Sequence, residues 1–197
     1  MNAPVHSTTL TKATQAADGF PRRRFTNAEV RQMVEAGIFD ENERIELIRG
    51  ELAPMGSEND LHGRARALLT RIFIGALGPE WFVATNLSLF LAEDLEFQPD
   101  LHVFDMRLKS HDVRGPDVLL AVELSSTTQR KDLQLKAPIY AAHGVRELWV
   151  LDLDAMRSHV FRAPGANGYG AHEELAADAA LTPMEFSEVS VRLVDLV

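Results

Sequence analysis

Short apolar runs alternate with amphipathic stretches along most of the chain. The near-continuous apolar run from Val118 to Leu124 predicts a strand covered on both faces, as in the middle of an α/β sheet. Residues Asp60 to Leu77 carry apolar side chains at helical spacing and precede Gly78-Pro79, which predicts an amphipathic helix that ends there. Further short strands are predicted at residues 45–48, 51–55, 81–85, 87–91, 98–105, 147–152 and 158–161.

Three local signals refine these elements. Thr26 and Glu29 match a capping box, in which each side chain satisfies a free backbone N–H at the start of a helix. Arg49-Gly50 lies between two strand-like pieces and predicts a hairpin turn. The segment from Gln129 to His143 is helical in composition, and Pro138 is expected to kink or divide it.

The order of elements predicts a single α/β domain over residues 21–197. Residues 1–20 show no periodicity and are predicted to form a disordered N-terminal tail. Two polar stretches, residues 93–96 and 164–170, are expected to be loops. Signals after residue 170 are weaker, with a short strand or helix expected near the C-terminus.

Composition limits the classes of function. The absence of cysteine excludes disulfides and thiolate metal sites, which suits a reducing cytoplasm. The net charge of -9 argues against tight, metal-free binding of nucleic acid through a broad basic surface. No apolar run approaches the roughly 20 residues that span a bilayer, and the first residues lack the apolar core of a signal peptide. A cytoplasmic protein without membrane association is therefore expected.

Two acids stand out on the predicted strands. Asp100 follows a proline at the start of one strand, and Glu123 lies near the end of the buried run. A buried carboxylate is costly unless it is paired or bound to a cation, and two carboxylates at one sheet edge could share a hard cation such as Mg²⁺. The residues alone also allow a turn at Pro99-Asp100 and a strand that has already left the core at Glu123.

A lysine would complete a hydrolytic site by orienting water or stabilising charge on a phosphate. The position two residues after Glu123 holds Ser125 and not a lysine. Lys136 is therefore the candidate to replace the missing lysine. Asp132, Lys136 and Tyr140 are spaced four apart and share one helix face. The same spacing is also compatible with an exposed Asp132–Lys136 ion pair.

An ordered set of short motifs resembles a known family. The motifs are Glu46 to Leu52, His62, Pro99-Asp100, Val122 to Ser125, Asp132 with Lys136 and Tyr140, and Gly144 to Asp152. Over about residues 24 to 165, and weakly beyond, the chain is similar to the putative restriction endonuclease family of the PD-(D/E)xK nuclease superfamily, long catalogued as a domain of unknown function.

The resemblance implies a restriction-endonuclease-like mixed β-sheet flanked by helices, with Mg²⁺ as the usual metal and Mn²⁺ as a substitute. Asp100 matches the first acid of the motif and Glu123 the second, so both are expected to hold the metal. Ser125 departs from the lysine of the motif. Relatives place a lysine on the following helix, which corresponds to Lys136 here.

Two further residues are assigned supporting roles. Glu46 is expected to contact metal or water, with a solvated hairpin acid as the alternative. His62 is expected to serve as a base or phosphate contact from the first turn of its helix, with a structural histidine as the alternative. The remaining histidines show no close ligand spacing in the sequence, so no zinc site is predicted.

The predicted function is Mg²⁺-dependent endonucleolytic cleavage of DNA by a metal-activated water, with Asp100, Glu123, Lys136, Glu46 and His62 as the site. The alternative is a catalytically inactive module of the same fold that binds nucleic acid or protein. A homodimer is expected from function alone, because two symmetric sites cut both strands of a duplex most simply.

Overall fold

The computed structural model describes residues 14–15, 21–40, 43–56, 58–125 and 132–197. Its Cα positions group into two compact units. The first comprises Met1–Met55 with Glu93–Leu95, and the second comprises Gly56–Ala92 with Glu96–Val197. Most of the predicted tail, residues 1–13 and 16–20, lies outside the described residues. The boundary at residue 20 therefore stays a prediction.

The described helices separate groups of consecutive short strands. The helices are α1 (Asn27–Glu35), α2 (Asp60–Ala76) and α3 (Ala137–Ala142), with a π-helical turn at Asp132–Lys136 directly before α3. The strands are β1 (Thr14–Gln15), β2 (Pro21–Arg22), β3 (Ile45–Ile48), β4 (Glu51–Pro54), β5 (Trp81–Ala84), β6 (Leu89–Ala92), β7 (Leu95–Phe97), β8 (Leu101–Asp105), β9 (Leu120–Ser125), β10 (Glu147–Asp152), β11 (Arg157–Gly165) and β12 (Gly168–Ala176).

The first unit contains the predicted capping box and hairpin. The backbone N–H of Glu29 donates to the Thr26 hydroxyl at 3.3 Å, and the Glu29 carboxylate accepts from the Thr26 N–H at 2.9 Å. β3 and β4 pair antiparallel around Arg49 and Gly50, which both have positive φ. A Cβ at Gly50 would lie 2.5 Å from the Cβ of Arg24, so this turn requires glycine.

The second unit contains a six-stranded mixed sheet in the order β12-β11-β10-β9-β8-β5. β9 and β10 are parallel, and the other neighbouring strands are antiparallel. Every residue of β9 and β10 is buried. The apolar run at residues 118–124 therefore forms a strand covered on both faces, and the predicted mixed sheet flanked by helices is confirmed.

The main core lies between α2 and one face of this sheet. Ala65, Leu69 and Phe73 form the buried stripe of α2. Phe73 meets Trp149 of β10 edge to face, with ring centroids 6.2 Å apart. The core also takes in apolar residues of the C-terminal segment, among them Phe186. This packing fixes the start of α2 relative to the ends of β8 and β9.

Several sequence-based predictions need correction. Residues 95–97 form β7 rather than a solvated loop, because Leu95 and Phe97 alternate inward and are buried. The expected loop at residues 164–170 is a hairpin, since β11 and β12 continue through Pro164 and Tyr169. The helix expected from residue 129 is described from Asp132, and it changes from π to α geometry just before Pro138.

None of the helices described here is both long and apolar enough to pass through a lipid bilayer.

Candidate functional site

Asp100 and Glu123 come from neighbouring antiparallel strands. β8 pairs with β9 so that Leu101 lies opposite Val122, and one further step of this register sets Asp100 opposite Glu123. The Oδ2 atom of Asp100 accepts a hydrogen bond of 2.8 Å from the backbone N–H of Leu124. Asp100 and Glu123 are only 7% and 4% exposed. The two predicted acids therefore lie together, buried at one end of two strands.

The first turns of α2 supply the partners of Asp100. The Oδ1 atom of Asp100 lies 2.7 Å from Nε2 of His62 and accepts a hydrogen bond of 3.2 Å from Nη1 of Arg66. Asn59 caps α2 by accepting from the backbone N–H of His62 at 2.9 Å, which sets the position of that ring. His62 and Arg66 are one helical turn apart, so both reach the same carboxylate.

The protonation of His62 is coupled to Asp100. The hydrogen bond to Asp100 raises the pKa of His62 above its ordinary value, although burial of the ring acts in the opposite direction. The charges of Asp100 and Glu58 add to the rise, and Arg66 opposes it. His62 is thus held as a donor to Asp100 over a wider pH range than a free imidazole.

A second group of side chains surrounds Glu123. Oε1 of Glu123 accepts from the Lys136 ammonium at 3.1 Å and from the Tyr140 hydroxyl at 2.7 Å. The Lys136 nitrogen lies 3.9 Å from Oδ1 of Asp132 and 5.2 Å from the ring centroid of Phe97. Lys136 and Asp132 are 4% and 3% exposed. The exposed ion pair that the spacing alone allowed is excluded.

Arg66 extends the site to one more acid. Its guanidinium forms an ion pair with Glu58 and donates a 3.2 Å hydrogen bond to the side-chain oxygen of Asn86. In the described part of the chain, Glu58, His62 and Asp100 each offer one ligand atom, and these atoms lie within 4.8 Å of one another. Two carboxylates and an imidazole at this separation could hold a divalent cation.

Four carboxylates lie in the described site, those of Glu58, Asp100, Glu123 and Asp132. The first two form ion pairs with Arg66, and the last two form ion pairs with Lys136. Such charges interact with a cation more strongly when they are shielded from water.

A comparison with family profiles identifies the chain. The profile of the Uma2 family, described as putative restriction endonucleases, matches residues 28–194. The chain belongs to the Uma2 family. The matched region includes all five residues that the sequence assigned to the site.

A solved structure agrees with the fold of this Uma2 protein. A crystal structure of a putative nuclease belonging to DUF820 from Anabaena variabilis superposes with a TM-score of 0.70 and 17% sequence identity, over 87% of this chain and 97% of that chain. The restriction-endonuclease-like fold class is thereby confirmed. None of the curated proteins matches the chain.

The predicted site residues of this Uma2 protein fall in both compact units. Asp100, Glu123, Lys136 and His62 all belong to the second compact unit and form the contacts given above. Glu46 belongs to the first unit and is fully buried, which excludes the solvated hairpin acid. The catalytic role of Glu46 stays a prediction.

Sequence reasoning missed Glu58, Arg66 and Asn86 as members of the site. Glu58 precedes the N-cap of α2 and lies four residues before His62, which is the only local signal for it. Arg66 lies four residues after His62, so the same spacing could have linked it to the site. Asn86 has positive φ in the turn after β5, and no pattern in the sequence points to it.

Proposed function

We propose that this Uma2 protein hydrolyses phosphodiester bonds of DNA as a Mg²⁺-dependent endonuclease, with Mn²⁺ as a substitute metal. The observation that carries the proposal is the pairing of two buried carboxylates, Asp100 and Glu123, with Lys136 in contact with the second. Burial of such a pair is costly in a purely structural role, because removing carboxylates from water needs compensating charge.

The donor set fits a hard divalent ion. Carboxylate oxygens are the ligands that Mg²⁺ and Mn²⁺ prefer. Asp100 and Glu123 would hold the ion, and Glu58 could add an oxygen beside Asp100. A bound ion would supply Lewis acidity and a water of lowered pKa.

The side chains around the acids have distinct roles in this proposal. Lys136 would donate to the attacking water or to the charge that develops on the phosphate. Tyr140 holds the Glu123 carboxylate in one orientation through its 2.7 Å hydrogen bond. His62 would act as a base or donate to a phosphate oxygen. Glu46 would assist by contacting metal or water.

The wider assignment follows from this chemistry. DNA is the proposed substrate because the description of the family is "putative restriction endonuclease". A homodimer would present two symmetric sites to the two strands of a duplex. The proposed compartment is the cytoplasm, because a chain without cysteine forms no disulfides and needs no oxidising environment.

Cleavage of supercoiled and linear plasmid DNA by purified protein tests the proposal. We expect cleavage with Mg²⁺ or Mn²⁺ and none with EDTA. Asp100→Asn and Glu123→Gln keep the side-chain volume and should reduce cleavage to the level of the metal-free reaction. Asp112→Asn removes the same charge at an exposed position and should leave cleavage unchanged.

Circular dichroism and thermal unfolding must show that both site variants fold. Cleavage by folded Asp100→Asn at the wild-type rate would overturn the assignment. Calorimetry with Mn²⁺ distinguishes the alternative of an inactive binding module. Metal binding that requires Asp100 supports the enzyme, whereas DNA binding without any carboxylate-dependent metal binding supports the module.

A further inference from the structure

Two histidines far from each other in sequence meet on the sheet of the second unit. Nδ1 of His159 lies 3.2 Å from Nε2 of His172, across thirteen positions of sequence. His159 belongs to β11 and His172 to β12, so the hairpin brings them together. This is why ligand spacing along the chain gave no indication of the pair.

Strand pairing and ring stacking fix both imidazoles. The β11–β12 register sets Phe161 opposite His172 and His159 opposite Glu174. Residues opposite each other, and residues two apart on one strand, point to the same face of the sheet. The ring of Phe161 stacks on that of His172, with centroids 4.2 Å apart and planes 4° from parallel. The two rings are therefore held in position before any ligand arrives.

The distance between the two nitrogens matches that in a metal chelate. Two imidazole nitrogens bound at about 2.0–2.1 Å to one tetrahedral ion are about 3.3 Å apart. We propose that His159 and His172 bind a transition-metal ion of the Zn²⁺ class, with Glu174 as the third ligand. Water or another ligand would complete the coordination, because His172 and Glu174 are exposed.

Glu174 would reach the ion only after its side chain turns, because the described ligand atoms that already lie within 4.8 Å of one another are those of Glu58, His62 and Asp100. Glu174 lies opposite His159 and two residues after His172, so its side chain shares their face. Its carboxylate lies 3.7 Å from Arg157 in an ion pair that is half exposed on both sides. Such surface pairs contribute little free energy, so the carboxylate can turn to a bound ion at small cost.

The state of His159 agrees with a ligand role. His159 is only 5% exposed, and its Nδ1 atom is the one that faces His172. The neutral imidazole is the form that binds metal.

This pair differs in chemistry from the proposed nuclease site. Imidazole suits Zn²⁺, Ni²⁺ and Co²⁺, whereas Mg²⁺ prefers a shell of oxygen atoms. Excess Mg²⁺ can therefore occupy the carboxylates at Asp100 while leaving the histidine pair open. The inference does not depend on the proposed hydrolysis.

Calorimetric titration of the full chain with Zn²⁺ in excess Mg²⁺ tests the site. Wild type should bind one more equivalent of Zn²⁺ than His172→Ala. Because His172 is exposed, its replacement should leave the fold intact. His111→Ala removes another exposed histidine and should bind as wild type. Asp100→Asn should also retain this equivalent. Glu174→Gln should weaken the affinity for Zn²⁺ about tenfold or more, because loss of a contact outside the ligand shell already costs about that much.

Thermal unfolding provides an independent measurement. Zn²⁺ should raise the Tm of wild type and of His111→Ala more than that of His172→Ala, because binding stabilises only the folded state that forms the site. Equal stoichiometry and affinity in wild type and His172→Ala would overturn the proposal. So would loss of the equivalent in Asp100→Asn together with its retention in His172→Ala, since the ion would then lie at the carboxylate site.

Discussion

The Lys136 ammonium contacts the Glu123 carboxylate at 3.1 Å from the helical segment that follows β9. The motif of the superfamily would place its lysine at position 125, where this chain has a buried serine. Lys136 approaches Glu123 from another element, so a cation is present at the second acid without a lysine on the strand. The ion pair between Lys136 and Glu123 links the sheet to the π-helical turn that begins at Asp132.

Lys136→Met should abolish metal-dependent cleavage and destabilise the metal-free protein by about 3 kcal/mol, because Glu123 would stay buried without its cation. Urea denaturation in EDTA measures the loss. Added Mn²⁺ should stabilise this variant more than wild type, since the ion would replace the missing charge. Lys109→Met, at an exposed position, should change stability by less than about 0.5 kcal/mol. Wild-type cleavage by Lys136→Met would contradict the role of the lysine.

The acid pair could be predicted because strand chemistry is local. Glu123 interrupts an apolar run, and Pro99 marks the start of the strand that carries Asp100. Lys136 needed the family resemblance and the helical spacing with Tyr140. Partners that lie far apart in sequence could not be read in this way. Arg66 contacts Asp100 across 34 positions, and only the packing of α2 on the sheet brings them together.

The strands also divide into those that the local sequence predicts and those that it misses. Strands buried on both faces, such as β9 and β10, have continuous apolar sequences and were predicted. β12 is an edge strand with mostly exposed residues, so no apolar alternation distinguishes it from a loop. β11 and β12 pair along their length, and this pairing defines the strand that the sequence pattern missed.

Tyr140→Phe should preserve the fold and weaken catalysis. The ring would keep its contact with Phe97, whose centroid lies 5.1 Å away, while Glu123 would lose the 2.7 Å hydrogen bond. A hydrogen bond to a charged group contributes about 1.5–3 kcal/mol, so stability should fall within this range. Single-turnover cleavage and Mn²⁺ calorimetry should show a lower rate and altered affinity. An unchanged rate and affinity would show that the Tyr140 hydroxyl does not orient the carboxylate.

His102 should make the fold sensitive to acid. Burial lowers its pKa from 6.5 to about 4. The folded state therefore resists protonation, and stability that is fully present above pH 6.5 is lost as the pH falls towards 4. The loss from this group should be about 3 kcal/mol. Urea denaturation between pH 7.5 and 4 should show a smaller fall for His102→Phe than for wild type, and equal falls would contradict the assignment.

His62 should make the stability of the fold depend on pH in the opposite direction to His102. Its hydrogen bond to Asp100 raises the folded pKa, so the stabilisation is fully present below pH 6.5 and is lost as the pH rises through the elevated value. In EDTA, wild type should therefore lose more stability than His62→Gln between pH 6 and 9, as measured by urea denaturation. His111→Gln, at an exposed histidine, should follow wild type. Parallel curves for wild type and His62→Gln would show that the imidazole is not coupled to Asp100.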